Sequence, residues 1–209
     1  MTTAPTYSSD VAFTPAVKAI QARKGSRGGY AHMEEDRGGF RTEIDGSLAA
    51  FIGEQTSFFL ATANADGQPY IQHRGGPAGF IKILDKNTLA FADYKGNRQY
   101  ITQGNLSENP KAYIFLIDYV NRRRIKIWGE ARVVEDDPAL IDALMPKDYK
   151  AKPEQAILFK IAAWDSNCPQ HIPMKFDAAD VAAAVAARDE RIAELEAEVA
   201  QLKLRLPPS

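Results

Sequence analysis

Alternating apolar and polar positions predict that the middle of the chain consists of short β-strands. The clearest pattern lies in residues 123–134, where Ile125, Ile127, Ala131 and Val133 alternate with charged side chains. A period of two places one face of a strand on a core. Strands are also predicted over residues 57–63, 69–74, 80–84, 88–92, 111–118 and 155–162. The run 111–118 is apolar on both faces, which predicts a strand buried on both sides.

Turn and helix signals separate these strands. Residues 64–67 (Asn, Ala, Asp, Gly) predict a hairpin turn, because these residues tolerate positive φ. Leu48, Phe51 and Ile52 repeat at helical spacing after a possible cap at Asp45, so a short helix should cover one end of the sheet. Short helices are also predicted over 98–106 and 138–144. Hairpin-linked short strands of this kind indicate a closed antiparallel barrel.

Residues 1–43 differ from the strand region because they are polar and rich in glycine. Within them only residues 14–23 have helical features, so we expect an extended arm with one short helix. The barrel is expected over residues 44–177, and the remaining residues, 178–209, form a separate C-terminal segment.

The C-terminal segment predicts one long helix over residues 180–206, which contain neither glycine nor proline. Its apolar stripe steps by four and three residues, as in a heptad repeat. The a positions are Val185, Ile192, Val199 and Leu206, and the d positions are Val181, Arg188, Leu195 and Leu202. β-Branched a residues with leucine at d favour a parallel pair of helices. The alternative is a single amphipathic helix packed on its own barrel.

The charged residues along the helix support a parallel pair of helices. In a parallel pair, Arg191 would face Glu196 and Glu198 would face Lys203, and both contacts attract. The sequence therefore predicts a homodimer joined in part by this helix.

Composition narrows the function classes. The 209 residues carry 26 basic and 27 acidic side chains, a formal charge of −1, so there is no overall attraction to nucleic acid or to an anionic membrane. No apolar run approaches a membrane span, and the N-terminus lacks the order of a secretory signal. A single cysteine, Cys168, fits a reducing compartment. We expect a cytoplasmic protein with no nucleic-acid or membrane partner, and no metal site because ligands are too few.

Polar residues at the ends of the predicted strands are the candidates for chemistry. Gln72, His73 and Arg74 end one strand, and the glycine-rich residues 75–79 that follow allow a flat ligand to approach the backbone. Lys82, Asn97 and Arg98 could hold an anion, with Arg98 at the start of a predicted helix. Taken alone, these features also fit turn glycines and solvated surface charges.

A set of motifs in fixed order is more specific than any one of these features. The motifs are residues 61–69, Lys82 with Asp85, residues 91–94 leading to Asn97 and Arg98, Asn109 with Pro110, residues 123–129, and residues 167–172. In this order they resemble the pyridoxamine 5'-phosphate oxidase-like FMN-binding split barrels, and most closely a branch of predicted flavin-nucleotide-binding proteins.

The resemblance implies a fold and a cofactor. The expected fold is mainly β with added helices (α+β), an antiparallel split β-barrel with a long C-terminal helix. The expected cofactor is FMN, bound in clefts between the two subunits of a homodimer. The residues implied as cofactor ligands are Gln72, His73, Arg74, Lys82, Ala92, Asp93, Asn97, Arg98, Gln99, Arg124, Trp164 and His171.

Individual roles also follow from the resemblance. Lys82 and Arg98 match phosphate ligands, Arg124 matches a position that reaches across from the partner subunit, and Trp164 and His171 are candidates to cover the flavin. Gln99 stands where the oxidase has a second basic residue, and the oxidase's C-terminal Arg-x-His pattern is not found. A true pyridoxamine phosphate oxidase is therefore not expected.

The function expected is an FMN-dependent oxidoreductase acting on a small molecule, with NADH or NADPH as one candidate for the electron donor. One alternative is a flavin- or haem-binding protein without turnover, because this barrel also hosts binding modules. Another is a deazaflavin-dependent reductase on the same fold. No catalytic residue is assigned from the sequence.

Overall fold

The computed structural model describes residues 7–205, and these residues fall into two compact units. The first unit runs to Asp118 and resumes over Arg123–Pro169. The second consists of Tyr119–Arg122 and the described residues from Gln170 onward.

Seven strands and five helices make up the first unit. The strands are β1 (Ser57–Ala63), β2 (Pro69–Gly75), β3 (Lys82–Asp85), β4 (Thr88–Tyr94), β5 (Lys111–Asp118), β6 (Arg123–Val134) and β7 (Pro153–Ser166). The helices are α1 (Pro15–Lys24), α2 (Arg27–Arg37), α3 (Gly46–Glu54), α4 (Ile101–Glu108) and α5 (Pro138–Leu144), preceded by a 3-10 turn at Ser8–Val11. The long helix α6 (Ala178–Arg205) belongs to the second unit.

All strand pairs are antiparallel, in the order β2-β1-β5-β6-β7-β4-β3. In a flat sheet β1 and β4 would lie about 19 Å apart, because neighbouring strands are about 4.8 Å apart. Instead the rings of Phe58 on β1 and Phe91 on β4 are 5.0 Å apart and perpendicular. The sheet is therefore rolled around a core, with β2 and β3 as its two ends. The predicted antiparallel split β-barrel is confirmed.

Helix α3 covers one end of this core, as its apolar spacing predicts. The side chain of Asp45 accepts a hydrogen bond from the backbone N–H of Leu48 at 2.8 Å, which caps the helix. Leu48, Phe51 and Ile52 are fully buried in the same cluster as the inward-facing residues of the strands.

The prediction that only residues 14–23 of the arm are helical is wrong, because α2 follows over Arg27–Arg37. Gly28 and Gly29 make the sequence of this helix look like a loop. They lie in its first turn, where glycine lowers helix stability only slightly. Glu34 anchors α2: it is 1% exposed and accepts hydrogen bonds from Ser9 and Arg27. Burial pushes the pKa of Glu34 up, but the hydrogen bonds from Arg27, Ser9 and Lys18 outweigh it and hold the pKa below its usual value.

Three smaller predictions also need correction. β5 is not buried on both sides, because Ala112, Ile114 and Leu116 are buried while the residues between them are partly exposed. β3 begins at Lys82 rather than at residue 80, since Phe80 closes a turn and packs into the core. The helix predicted over 98–106 begins at Ile101.

Helix α6 agrees with the predicted long C-terminal helix, except that Leu206 lies outside the described residues. No described residue of α6 is buried. The six apolar stripe residues, namely Val181, Val185, Ile192, Leu195, Val199 and Leu202, are between 42% and 53% exposed.

Gly129 marks the place where β6 and β7 approach most closely. The pairing of these strands shifts register between Trp128 and Gly129, and a Cβ at residue 129 would lie 2.2 Å from the backbone oxygen of Lys160. A backbone atom cannot move aside as a flexible side chain can. A larger residue at position 129 therefore has to push β6 and β7, the two longest strands, apart.

We therefore predict that Gly129→Ala lowers the free energy of unfolding by about 3 kcal/mol or more, measured by urea denaturation. The matched control is Gly104→Ala on α4, where a Cβ meets nothing within 4 Å and the alanine should stabilise the helix by about 0.5–1 kcal/mol. A Gly129→Ala protein as stable as the wild type would contradict this account of the β6–β7 contact.

Candidate functional site

A pocket of about 410 Å³ opens where β2, one end of the rolled sheet, approaches the part of β4 that extends beyond its pairing with β3. It lies among β2, the end of β4, the loop 95–100, the first turn of α4 and the start of β7. Its volume lies within the range of about 300–1,000 Å³ that is usual for small-molecule sites.

Seven of the predicted site residues line this pocket. They are Gln72, His73, Arg74, Asp93, Asn97, Arg98 and Gln99. Strand periodicity explains the contribution of β2, because Tyr70, Gln72 and Arg74 alternate with the more exposed Ile71 and His73. His73 reaches the pocket only in part, since its ring also packs edge-on against Phe59 at 5.8 Å.

An ion pair crosses the opening between β2 and β4. Nε of Arg74 on β2 is 2.7 Å from Oδ1 of Asp93 on β4, and both side chains are largely buried. Asp93 also accepts a hydrogen bond at 2.9 Å from the side-chain amide of Gln155, its neighbour on β7. The pocket therefore has a polar wall formed by Arg74, Asp93 and Gln155.

Next to this wall, the loop before α4 and the first turn of that helix suit an anion, and Nη2 of Arg74 lies 3.4 Å from Oγ1 of Thr102 in that turn. Arg98 and Tyr100 adopt φ values of 62° and 55°, a left-handed conformation that is costly for residues other than glycine. Tyr100 is the N-cap of α4 and makes no side-chain capping hydrogen bond, so the first N–H groups of the helix lack a side-chain cap. The prediction that Arg98 starts the helix is wrong, because Gln99 and Tyr100 lie between it and Ile101, where α4 begins.

Arg98 stays charged in this setting. Its Nε donates to the hydroxyl of Tyr100 at 3.4 Å, and Tyr100 donates to Glu154 at 2.9 Å. The hydrogen bond to Tyr100, with the negative charge of Glu154 behind it, raises the pKa of the Arg98 guanidinium. A permanent cation beside an uncapped helix N-terminus is a site for a phosphate or carboxylate group.

Two buried polar atoms at the pocket have no partner among the described residues. They are Oε1 of Gln155 and the hydroxyl of Tyr94. Burial, together with Tyr149, raises the pKa of Tyr94, so its hydroxyl remains a hydrogen-bond donor. Both are exceptions to the rule that buried polar groups are paired.

Gln155 and Tyr94 were missed as site residues. The sequence does contain a signal for Gln155, because it is the polar residue at the start of an otherwise apolar strand. Tyr94 continues β4 by two residues beyond the predicted end of that strand, so its position at the pocket could not be inferred.

The other five predicted residues lie outside this pocket. Lys82 is half-buried on β3, and Ala92 is buried in the barrel wall at 3% exposure. Arg124 donates from Nη2 to the backbone oxygen of Cys168 at 3.4 Å. Trp164 is buried and donates from Nε1 to the backbone oxygen of Glu43 at 2.8 Å. His171 belongs to the second unit.

Trp164 instead lines a second, smaller hollow of about 150 Å³. The guanidinium of Arg41 lies 4.5 Å from the Trp164 ring, and Phe40 stacks on Trp128 at 5.3 Å. Nearby, burial and the charge of Asp165 raise the pKa of Tyr113 to about 12 despite the opposing charge of Arg124. These contacts join Phe40 and Arg41 of the arm to β6 and β7.

Within residues 7–205, no group of three or more His, Cys, Asp or Glu residues is arranged to hold a metal ion. None of the helices in that range is long and apolar enough to cross a membrane.

The protein-family model for pyridoxamine 5'-phosphate oxidase matches residues 44–168, which is more than half of the chain. The matched stretch contains the rolled sheet and the pocket. The chain therefore belongs to the pyridoxamine 5'-phosphate oxidase family. The comparison with curated proteins gave no match.

Several solved structures are similar to this chain at low identity. HupZ of Group A Streptococcus is 16% identical, with 64% of this chain and 99% of that chain covered and a TM-score of 0.46. An FMN-binding protein from Syntrophomonas wolfei is 12% identical, with 73% and 97% covered and a TM-score of 0.45. The heme storage protein HutZ from Vibrio cholerae is 19% identical, with 57% and 89% covered and a TM-score of 0.36.

Proposed function

We propose that this protein binds FMN in the 410 Å³ pocket and acts as a flavin-dependent oxidoreductase on a small molecule. The proposal rests on one observation. A single pocket of this family member contains both an anion site and a buried polar wall. FMN needs both, because it has a phosphate at one end and a polar heterocycle at the other.

The phosphate is assigned to Arg98 and the N-terminus of α4. Arg98 supplies a permanent positive charge, and the first N–H groups of α4 supply donors and a favourable dipole. Lys95 adds a second positive charge to the lining. The acidic residues of the pocket are already engaged, Asp93 with Arg74 and Glu154 with Tyr100, so they oppose the phosphate less.

The heterocycle is assigned to the β2 side of the pocket, because Nη2 of Arg74 lies 3.4 Å from Oγ1 of Thr102 in the first turn of α4 and is therefore at the phosphate end. Strand β2 borders this space with Tyr70 and Gln72. Bound FMN would supply hydride or electron transfer, while the protein holds the phosphate and fixes the ring through hydrogen bonds. Lys82, Ala92, Arg124, Trp164 and His171 stay predictions, with Arg124 assigned to the site of the partner subunit.

We predict that Arg98→Ala weakens FMN binding roughly ten- to hundredfold, because one charge-assisted contact with the phosphate is lost. The dissociation constant is measured by quenching of flavin fluorescence. The control is Arg132→Ala, which removes an exposed arginine of β6 that does not line the pocket. Equal FMN affinity in Arg98→Ala and the wild type would remove Arg98 from the phosphate site.

A test of oxidoreductase activity follows the visible flavin band of the loaded protein under anaerobic NADPH or NADH. We expect the band to bleach and to return on admission of air. A loaded protein whose flavin neither donor reduces would contradict nicotinamide-dependent reduction and favour the binding protein without turnover. A haem band, or a chromophore of deazaflavin mass, would replace FMN by one of the other two cofactors.

We further propose that the protein works as a homodimer in which α6 pairs in parallel with α6 of a second copy. The stripe on α6 is unburied in the chain and follows the heptad spacing. Leucine at d with valine or isoleucine at a suits two parallel strands, and the Arg191–Glu196 and Glu198–Lys203 pairs attract only in that register. The outer face of the sheet adds exposed Ile71 and half-buried Phe59 as further apolar surface for the second copy.

Ile192→Asp should raise the dimer dissociation constant at least tenfold, because it places a charge at a central a position. Ala193→Asp, which adds the same charge one residue away from the stripe, serves as the control. Analytical ultracentrifugation of the full chain measures both. If Ile192→Asp and Ala193→Asp dimerise equally well, α6 is not a dimer contact.

A further inference from the structure

Helix α4 depends on the rest of the protein for its position. It has only eight residues, and isolated helices shorter than about 12–15 residues are marginal in water. Gly104 lies at its centre, and its N-cap residue Tyr100 contributes no side-chain capping hydrogen bond. The place of its N-terminus is therefore set by contacts with β1, β2 and β6, on which α4 packs.

The face of α4 that is buried against these strands is mainly polar. Its buried residues are Thr102, Asn105 and Leu106, which follow the i, i+3, i+4 spacing of one helix face. Leu106 joins the hydrophobic core, and apolar contacts of this kind are non-directional. Hydrogen bonds, in contrast, fix both the distance and the direction between two groups. The polar residues can therefore hold the helix at one place on the sheet.

Strand β1 supplies the partner of Asn105. The buried residues of this strand are Phe58, Leu60 and Thr62, so Thr62 places a hydroxyl on the face that packs on the core. Its Oγ1 accepts a hydrogen bond from Nδ2 of Asn105 at 3.0 Å, and the two residues are 4% and 8% exposed. A hydrogen bond shielded from water is strong, and removal of one partner leaves the other unpaired.

This hydrogen bond lies about one helical turn from the proposed phosphate site. Asn105 follows Ile101, the first residue of α4, by four residues, which is a rise of about 6 Å. A shift of the helix at Asn105 therefore moves the first N–H groups with it. Because hydrogen bonds weaken steeply with distance and angle, a displaced first turn holds a phosphate less well.

We propose that Thr62 and Asn105 are positioning residues of the cofactor site, because their buried hydrogen bond sets the place of the α4 N-terminus at which the phosphate binds. Neither residue lines the pocket, so both act through the helix. This inference rests on the proposed function, since it concerns the phosphate of the FMN assigned to this pocket. It requires an effect on the phosphate end of the ligand and none on the ring.

The test compares FMN with riboflavin, which has the same ring and ribityl chain but no phosphate. Dissociation constants are measured by flavin fluorescence. The wild type should bind FMN at least about a hundredfold more tightly than riboflavin, because Arg98 and the helix N-terminus are both assigned to the phosphate. Thr62→Val, which keeps the shape but not the hydroxyl, should lower this preference at least about tenfold and change riboflavin affinity by less than about threefold.

Two controls accompany Thr62→Val. Thr62→Ser keeps the hydroxyl group and should retain the wild-type preference for FMN. Ser107→Ala changes an exposed residue of the same helix and should also retain it.

A second variant removes the donor instead of the acceptor. Asn105→Ala introduces a better helix former, so α4 itself is not weakened. It should lower the preference for FMN as much as Thr62→Val does, and the double variant should lower it no further, since all three lack the same hydrogen bond. Asn105→Ala also supplies the result if Thr62→Val does not fold.

Other outcomes overturn the inference in distinct ways. An unchanged preference for FMN in folded Thr62→Val or Asn105→Ala means that the pair does not position the phosphate site. An equal loss of affinity for FMN and riboflavin, or failure of both variants to fold, assigns the pair to general stability. A wild type that binds no FMN, or binds FMN and riboflavin equally, removes the proposed phosphate site together with this inference. A wild type that prefers FMN beside variants that do so equally removes only the inference.

Discussion

The rolling of the seven-stranded sheet is the constraint on which the site depends. Phe58 and Phe91 come from strands that a flat sheet would hold far apart, and burying both rings in one core brings the ends of the sheet together. Only then can Arg74 on β2 pair with Asp93 on β4. The candidate pocket is the space left where β2 and β4 meet but do not join by backbone hydrogen bonds.

Because of this geometry, strands and a loop contribute different parts of the pocket. Strands supply the rigid wall of Arg74, Asp93 and Gln155, because paired backbones fix their side chains. The loop before α4 supplies the anion site, where two residues are held in a left-handed conformation. Strain of this kind is maintained only when the surroundings impose it, and it is concentrated at ligand sites. A rigid polar wall beside a strained, positively charged loop is the arrangement on which the proposed binding of a flavin nucleotide rests.

Local patterns were sufficient to predict most strands, whereas long-range contacts were not. β1, β5 and β6 were predicted with their observed bounds, since period-two alternation and turn residues are local signals. Helix α2 was missed in part because Glu34 is held by Ser9 and Lys18, which lie far from it in sequence. Gln155 comes to Arg74 only through the rolled sheet, by way of Asp93, whereas Tyr94 was missed because the predicted end of β4 fell two residues short.

The most direct test of the central claim is a crystal structure of the protein grown with FMN. The account predicts the phosphate within hydrogen-bond distance of Arg98 and the N-terminus of α4, and the ring in the same pocket beside β2. FMN bound elsewhere on the barrel, or a pocket closed by protein side chains in crystals that take up no flavin, would contradict it.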